Sequence, residues 1–121
     1  MIENLILKKE QSLIQWDCNQ LQRQSSVFNI DQVMLDERRN IIIILSDMQK
    51  FPQRLDVLDE DGLNIFSCSP PQGASFYYLT KASTSEILIV CAFDEKHEGW
   101  HDWHYSFDER IKKLLQKSPA Y

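Results

Sequence analysis

The strongest periodic signals along this 121-residue chain have a period of two or are short β-branched runs. Val33–Leu35 lead through Asp36-Glu37-Arg38-Arg39-Asn40 into Ile41–Leu45, four isoleucines and a leucine. Such a run predicts a strand covered on both faces. Leu55–Leu58, the turn Asp59-Glu60-Asp61-Gly62 and Leu63–Cys68 predict a hairpin, with Gly62 free to take a positive φ. Pro70-Pro71-Gln72-Gly73 reads as a loop, and Phe76–Thr80 and Glu86–Phe93 as two more strands joined across Ala82–Ser85. Beyond Gly99, Trp103, Tyr105 and Phe107 alternate with Asp102, His104 and Ser106, the pattern of a half-buried strand. The same register puts His101 on the aromatic face and His104 on the other.

The two ends are less regular. Ile14, Trp16 and Cys18 alternate as in a strand, although Ile14, Cys18 and Leu21 also fit one helical face. Near the C-terminus, Asp108 can cap a short helix with Ile111, Leu114 and Leu115 on one face, stopped before Pro119. An apolar residue followed by Asp-Glu occurs at Leu35, Leu58, Phe93 and Phe107, which suggests a repeated unit of strand, acidic turn and strand. The chain is too short for a four-bladed propeller at ~40 residues per blade. The expected fold is therefore one domain, residues 1–121, mainly β: an antiparallel meander of about six strands. A short C-terminal helix packed on it would make the fold α+β.

Composition narrows the class. With 43% hydrophobic and 26% charged residues, the chain reads as a globular protein. No apolar run approaches the ~20 residues of a membrane-spanning helix. MIENLILKKE does not read as a signal peptide. Cys18, Cys68 and Cys91 are far apart and odd in number, and Cys91, inside ILIVCAF, reads as a small core hydrophobe. The expectation is a reduced, cytoplasmic protein. A net charge of −5 argues against nucleic acid as a partner. From Glu86 to Glu109 there are seven acids and one base, Lys96.

HEGWHDWH, residues 97–104, spells H-E-x-x-H. On a helix, His97 and His101 would share a face and hold zinc, with Glu98 as general base. Gly99 inside the required turn, the polar Asp94-Glu95-Lys96 before it and the alternation after it all favour a hairpin instead. His97, His101 and His104 remain the only metal-ligand set worth considering, and no cofactor is expected. Asp59-Glu60-Asp61-Gly62 fails the calcium-loop register, because an EF-hand with Gly62 at its sixth position would begin at Val57 and end at Cys68. No G-x-S-x-G elbow is present, so enzymatic activity is not expected.

What remains is a surface. The run Ser75-Phe76-Tyr77-Tyr78-Leu79 cannot bury both strand faces unless the sheet is covered twice, so an aromatic there should be exposed. Asp94, Glu95, Glu98 and Asp102, with Trp100 and Tyr77, have the composition of a protein-binding surface that steers and anchors a basic partner. The layout LDVLDEDGLNIFSC, SFYYL, EILIVCAF and W-x-x-W-H-Y-S-F, closing on SPAY, resembles small bacterial proteins. Some of these serve as immunity proteins beside polymorphic or contact-dependent-inhibition toxins. The resemblance covers about the last two-thirds of the chain. It implies a role in which a small acidic protein binds and occludes a toxin domain, often a basic nuclease. It carries no individual binding residue onto this sequence. The rival readings are an adaptor or phage-encoded binding module with a non-toxic partner, and a zinc hydrolase built on HEGWH.

Overall fold

The computed structural model describes residues 1–120; Tyr121, the last residue of the SPAY ending, lies outside them. Eleven strands follow one another: β1 (Ile2–Lys8), β2 (Leu13–Cys18), β3 (Leu21–Ser26), β4 (Gln32–Asp36), β5 (Ile41–Met48), β6 (Pro52–Leu58), β7 (Asn64–Cys68), β8 (Ala74–Lys81), β9 (Ile87–His97), β10 (Trp100–Asp108) and β11 (Lys113–Pro119). A 3-10 turn, Lys9–Gln11, separates β1 from β2. The strands form three successive antiparallel meanders: β1–β3, β4–β7 and β8–β11. The all-β antiparallel expectation holds, with a strand count nearer twice the six expected. Among the described residues no helix is long and apolar enough to cross a membrane.

The expected C-terminal helix is not formed. Asp108 does act as a cap, its Oδ1 accepting from the backbone N–H of Arg110 at 2.9 Å and of Ile111 at 3.2 Å. That closes only a hairpin turn, ended by Lys112 at φ 54°, and the chain then pairs with β10 as β11. Leu114 packs against the core and Leu115 takes the other side of the strand, while Ile111 is exposed. The spacing that suggested a helical face instead spans a turn and two strand faces.

The middle sheet organises the molecule. In β5, Ile41, Ile43 and Leu45 face β8–β11, where they meet Phe76, Ile87, Ile89, Cys91, Trp103, Tyr105 and Phe107. Ile42 and Ile44 face the opposite way and meet Ile2, Ile14, Trp16 and Cys18 of the first sheet. The isoleucine run is thus covered on both faces, as a continuous apolar strand requires. Both interfaces also carry polar ties. The buried Asp36 carboxylate pairs with the Arg39 guanidinium at 3.0 Å and accepts the Ile87 N–H at 3.2 Å, and Arg39 donates to the Phe107 carbonyl. On the other side, the Trp16 indole donates to the Glu60 carbonyl at 2.8 Å and Asn40 accepts from the Ile2 N–H at 2.8 Å.

Candidate functional site

HEGWH is a turn between two strands. β9 continues to His97, Glu98 and Gly99 take φ values of 50° and 89°, and Trp100 pairs back onto His97 as β10 begins. Two successive positive φ angles define the two-residue hairpin turn whose twist matches that of the strands. His97 and His101 therefore sit on opposite strands, and the helical face on which a zinc-protease site depends does not exist. Among the described residues no three His, Cys, Asp or Glu side chains are placed to share a metal ion.

The histidines exchange their expected places. A register shift between Trp100 and Asp102 turns His101 out of the aromatic face, leaving it exposed with Nδ1 3.1 Å from the Phe93 carbonyl. His97 packs instead, its ring stacked on Phe93 at 4.7 Å between centroids and edge-on to Trp103 at 5.8 Å. His104 points elsewhere, Nδ1 lying 3.3 Å from the Ser118 hydroxyl. Of the four Asp-Glu pairs, three occupy hairpin turns and Asp94-Glu95 lies within β9.

That extension of β9 makes an arm. β8 pairs with β9 only as far as Phe93, and β11 pairs with β10 only from Trp103 onward. Residues 95–101 consequently run past both flanking strands as a two-stranded ribbon. An isolated hairpin is marginal in water. This one is clasped at its base by Trp103, whose indole N–H donates to the carbonyls of His97 (2.9 Å) and Trp100 (3.2 Å). Glu95 and Glu98 are exposed on it, Asp94 is exposed and Asp102 half-buried at its base, and Trp100 is 44% exposed. Glu98 reaches Gln116 of β11 at 3.5 Å, and Gln116 in turn accepts from the Tyr105 hydroxyl at 3.3 Å.

Tyr77 belongs to a second patch. It lies beside the register shift between Phe76 and Tyr78, which buries Phe76 and exposes both tyrosines. Its ring meets Phe51 edge-on at 5.9 Å and Tyr78 at 5.0 Å. Phe76 is opposite Cys91, six residues along β9 from His97, so Tyr77 stands about 20 Å from the arm's turn at ~3.3 Å per residue. The structure joins Asp94, Glu95, Glu98, Trp100 and Asp102 in one element and leaves Tyr77 out. The edge of β8 beneath Tyr77 is occupied by Gln32, whose side-chain amide donates to the Tyr77 carbonyl at 3.2 Å and accepts from the Leu79 N–H at 2.8 Å. A side chain thereby takes the place of a further strand.

One polar centre was passed over in the sequence. Asp56 of β6 is buried, on the face of the middle sheet that looks toward the first sheet. Its carboxylate accepts from Arg54 Nε at 3.1 and 3.0 Å, from Asn64 at 2.9 Å and from the Ser67 hydroxyl at 2.5 Å. Burial pushes this carboxyl up, but the hydrogen bonds of Arg54, Ser67 and Asn64 outweigh it and hold it below the usual carboxylate value. The signal was the acid interrupting Leu55-Asp56-Val57-Leu58. Burial lifts Cys91 to about 12 and Cys68 to about 11, and all three cysteines are free thiols, Cys18 donating to the Glu60 carboxylate at 3.4 Å.

No family model, curated protein or solved structure matches the chain.

Proposed function

We propose that this is a non-enzymatic, cytoplasmic binding protein that neutralises a basic toxin domain by occluding it, with the β9–β10 arm as its recognition element. The observation that carries the reading is the arm itself: two exposed carboxylates, Glu95 and Glu98, and a partly exposed tryptophan on a ribbon that outruns its sheet, with Asp94 exposed at its base. Exposed acids keep their field in solvent and speed encounter with a basic surface more than they deepen affinity. Asp94, Glu95, Glu98 and Asp102 would steer and pair with Lys and Arg side chains, and Trp100 would supply the buried anchor that such interfaces concentrate near their centre. A partner that also reaches Tyr77 spans about 20 Å, within a standard interface of ~800 Å² per side.

The test begins with affinity capture of the tagged chain's stoichiometric partner from its native host. Association kinetics of that pair are then measured at several salt concentrations, for wild type and for Glu98→Lys with Asp102→Lys. The expected result is an association rate at least tenfold lower at low salt, with a flatter salt dependence. Unchanged rates would remove the arm from the interface. A captured partner that is not toxic to the host when produced alone would replace neutralisation with the adaptor reading.

A further inference from the structure

The first sheet has three strands and the middle sheet four, so the face they share is only partly covered. Ile42, Ile44 and Leu58 lie beneath the first sheet. Farther along the same face, Ser46 stands opposite Arg54 and Asp56 opposite Ser67. Here a cleft of about 580 Å³ opens, floored by Ser46, Arg54, Asp56 and Asn64 and walled by Ser25–Phe28 and Asp47. The volume falls within the ~300–1,000 Å³ usual for small-molecule sites.

Three features describe its occupant. First, Phe28 at the wall is 77% exposed, yet its backbone is fixed: the Phe28 carbonyl accepts from the Asp47 N–H at 3.4 Å, and the neighbouring Asn29 amide donates to the Met48 carbonyl at 2.8 Å. A ring held in water on a fixed backbone is a ready apolar platform. Second, Asp56 accepts from Arg54, Asn64 and Ser67 at Oδ1 and from Arg54 again at Oδ2, so its charge is paired with Arg54, which it orients. Third, Arg54 makes its hydrogen bonds through Nε and Nη2, leaving Nη1 as a donor, while the nearby Asp47 carboxylate is an acceptor. Two carboxylates around one guanidinium disfavour an anion, and because Asp56 is paired with Arg54 a cation would have Asp47 alone to offset it. A neutral ligand with adjacent hydroxyls, each able to donate and accept, satisfies both groups.

We propose that this cleft is a saccharide-binding site, taking a neutral sugar ring with Phe28 against its apolar face and Asp47 and Arg54 on adjacent hydroxyls. The site is separate from the β9–β10 arm and stands whether or not that arm binds a toxin.

The test is amide NMR of the isotope-labelled full chain, titrated separately with methyl α-mannopyranoside, methyl β-galactopyranoside, N-acetylglucosamine, inorganic phosphate and arginine amide. The expected result is saturable shifts with at least one sugar, confined to Ser25–Phe28, Ser46–Asp47 and Asn64. Phe28→Ala and Asp47→Asn should each weaken that binding by about tenfold. Phe28 is exposed, and asparagine tolerates the left-handed backbone of Asp47 (φ 58°), so both variants should keep a native spectrum. The proposal is overturned if none of the three sugars shifts these amides, if both variants bind the sugar as wild type does, or if only phosphate or arginine amide binds there.

Discussion

The β9–β10 arm and the Asp56 cleft are built from the same ingredients, carboxylates beside an exposed aromatic ring, and use them in opposite ways. On and beside the arm, Asp94, Glu95 and Glu98 are solvated, and Glu98 accepts from the Gln116 amide at 3.5 Å. In the cleft, the Asp56 carboxylate is buried and held by three side chains. Solvated charge acts at range and costs the fold little when it is changed. Buried, paired charge is part of the fold and fixes its neighbours. The proposed arm thus suits a large partner approached by steering, and the proposed cleft a small one sorted by geometry.

Removing the buried carboxylate should have the largest effect. Asp56→Ala should lower stability by about 2 kcal/mol in urea unfolding, the modest figure reflecting an Arg54 that can turn to water. Its pH dependence has a definite sign. The folded pKa of Asp56 lies below the unfolded value of about 4, so its contribution is present above that pH and is lost as pH falls through the folded value. Wild type should therefore lose stability on acidification more steeply than Asp56→Ala.

A smaller effect tests the wall between the cleft and the first sheet. Gly62 has φ 87°, and a Cβ there would lie 3.3 Å from the Trp16 ring. Gly62→Ala should cost about 1–2 kcal/mol, read as a lower urea midpoint with an unchanged slope. At the base of the arm, Trp103→Phe deletes the indole N–H that clasps His97 and Trp100. It should cost about 1 kcal/mol and speed hydrogen exchange at residues 95–101 more than elsewhere. Smallest of all, Glu98→Lys with Asp102→Lys should move stability by no more than about 0.5 kcal/mol.

Much of the fold was legible because the middle and last sheets write their burial into the sequence. Val33–Leu35, Ile41–Leu45, Leu55–Leu58 and Phe76–Thr80 lie within β4, β5, β6 and β8, and the stretches Leu63–Cys68 and Glu86–Phe93 fall in β7 and β9 but for their first residues. The strands that went unread have physical excuses. β3 (LQRQSS) is a polar edge strand whose Arg23 and Ser25 stand opposite Trp16 and Ile14. β1 is interrupted near Asn4, at φ 54°, where its pairing with β2 shifts register. β11 follows an Asp108 turn that shares its capping chemistry with a helix. At the candidate site, the hairpin nature of HEGWH could be read from Gly99 and the alternation after it. The register shift that exchanges His101 for His97 could not, because a bulge leaves no mark on the residue types. The grouping of the acids with Trp100 was visible as proximity along the chain. The separation of Tyr77 depends on strand register, which the run SFYYL does not encode.

The most direct test of the central claim is the association rate of the captured partner against the arm reversal, Glu98→Lys with Asp102→Lys, at low and at physiological salt. The expected rate is at least tenfold lower at low salt, converging toward wild type as salt rises, with folding stability intact. Identical rates at both salt concentrations would contradict it and show that the partner docks elsewhere on the molecule.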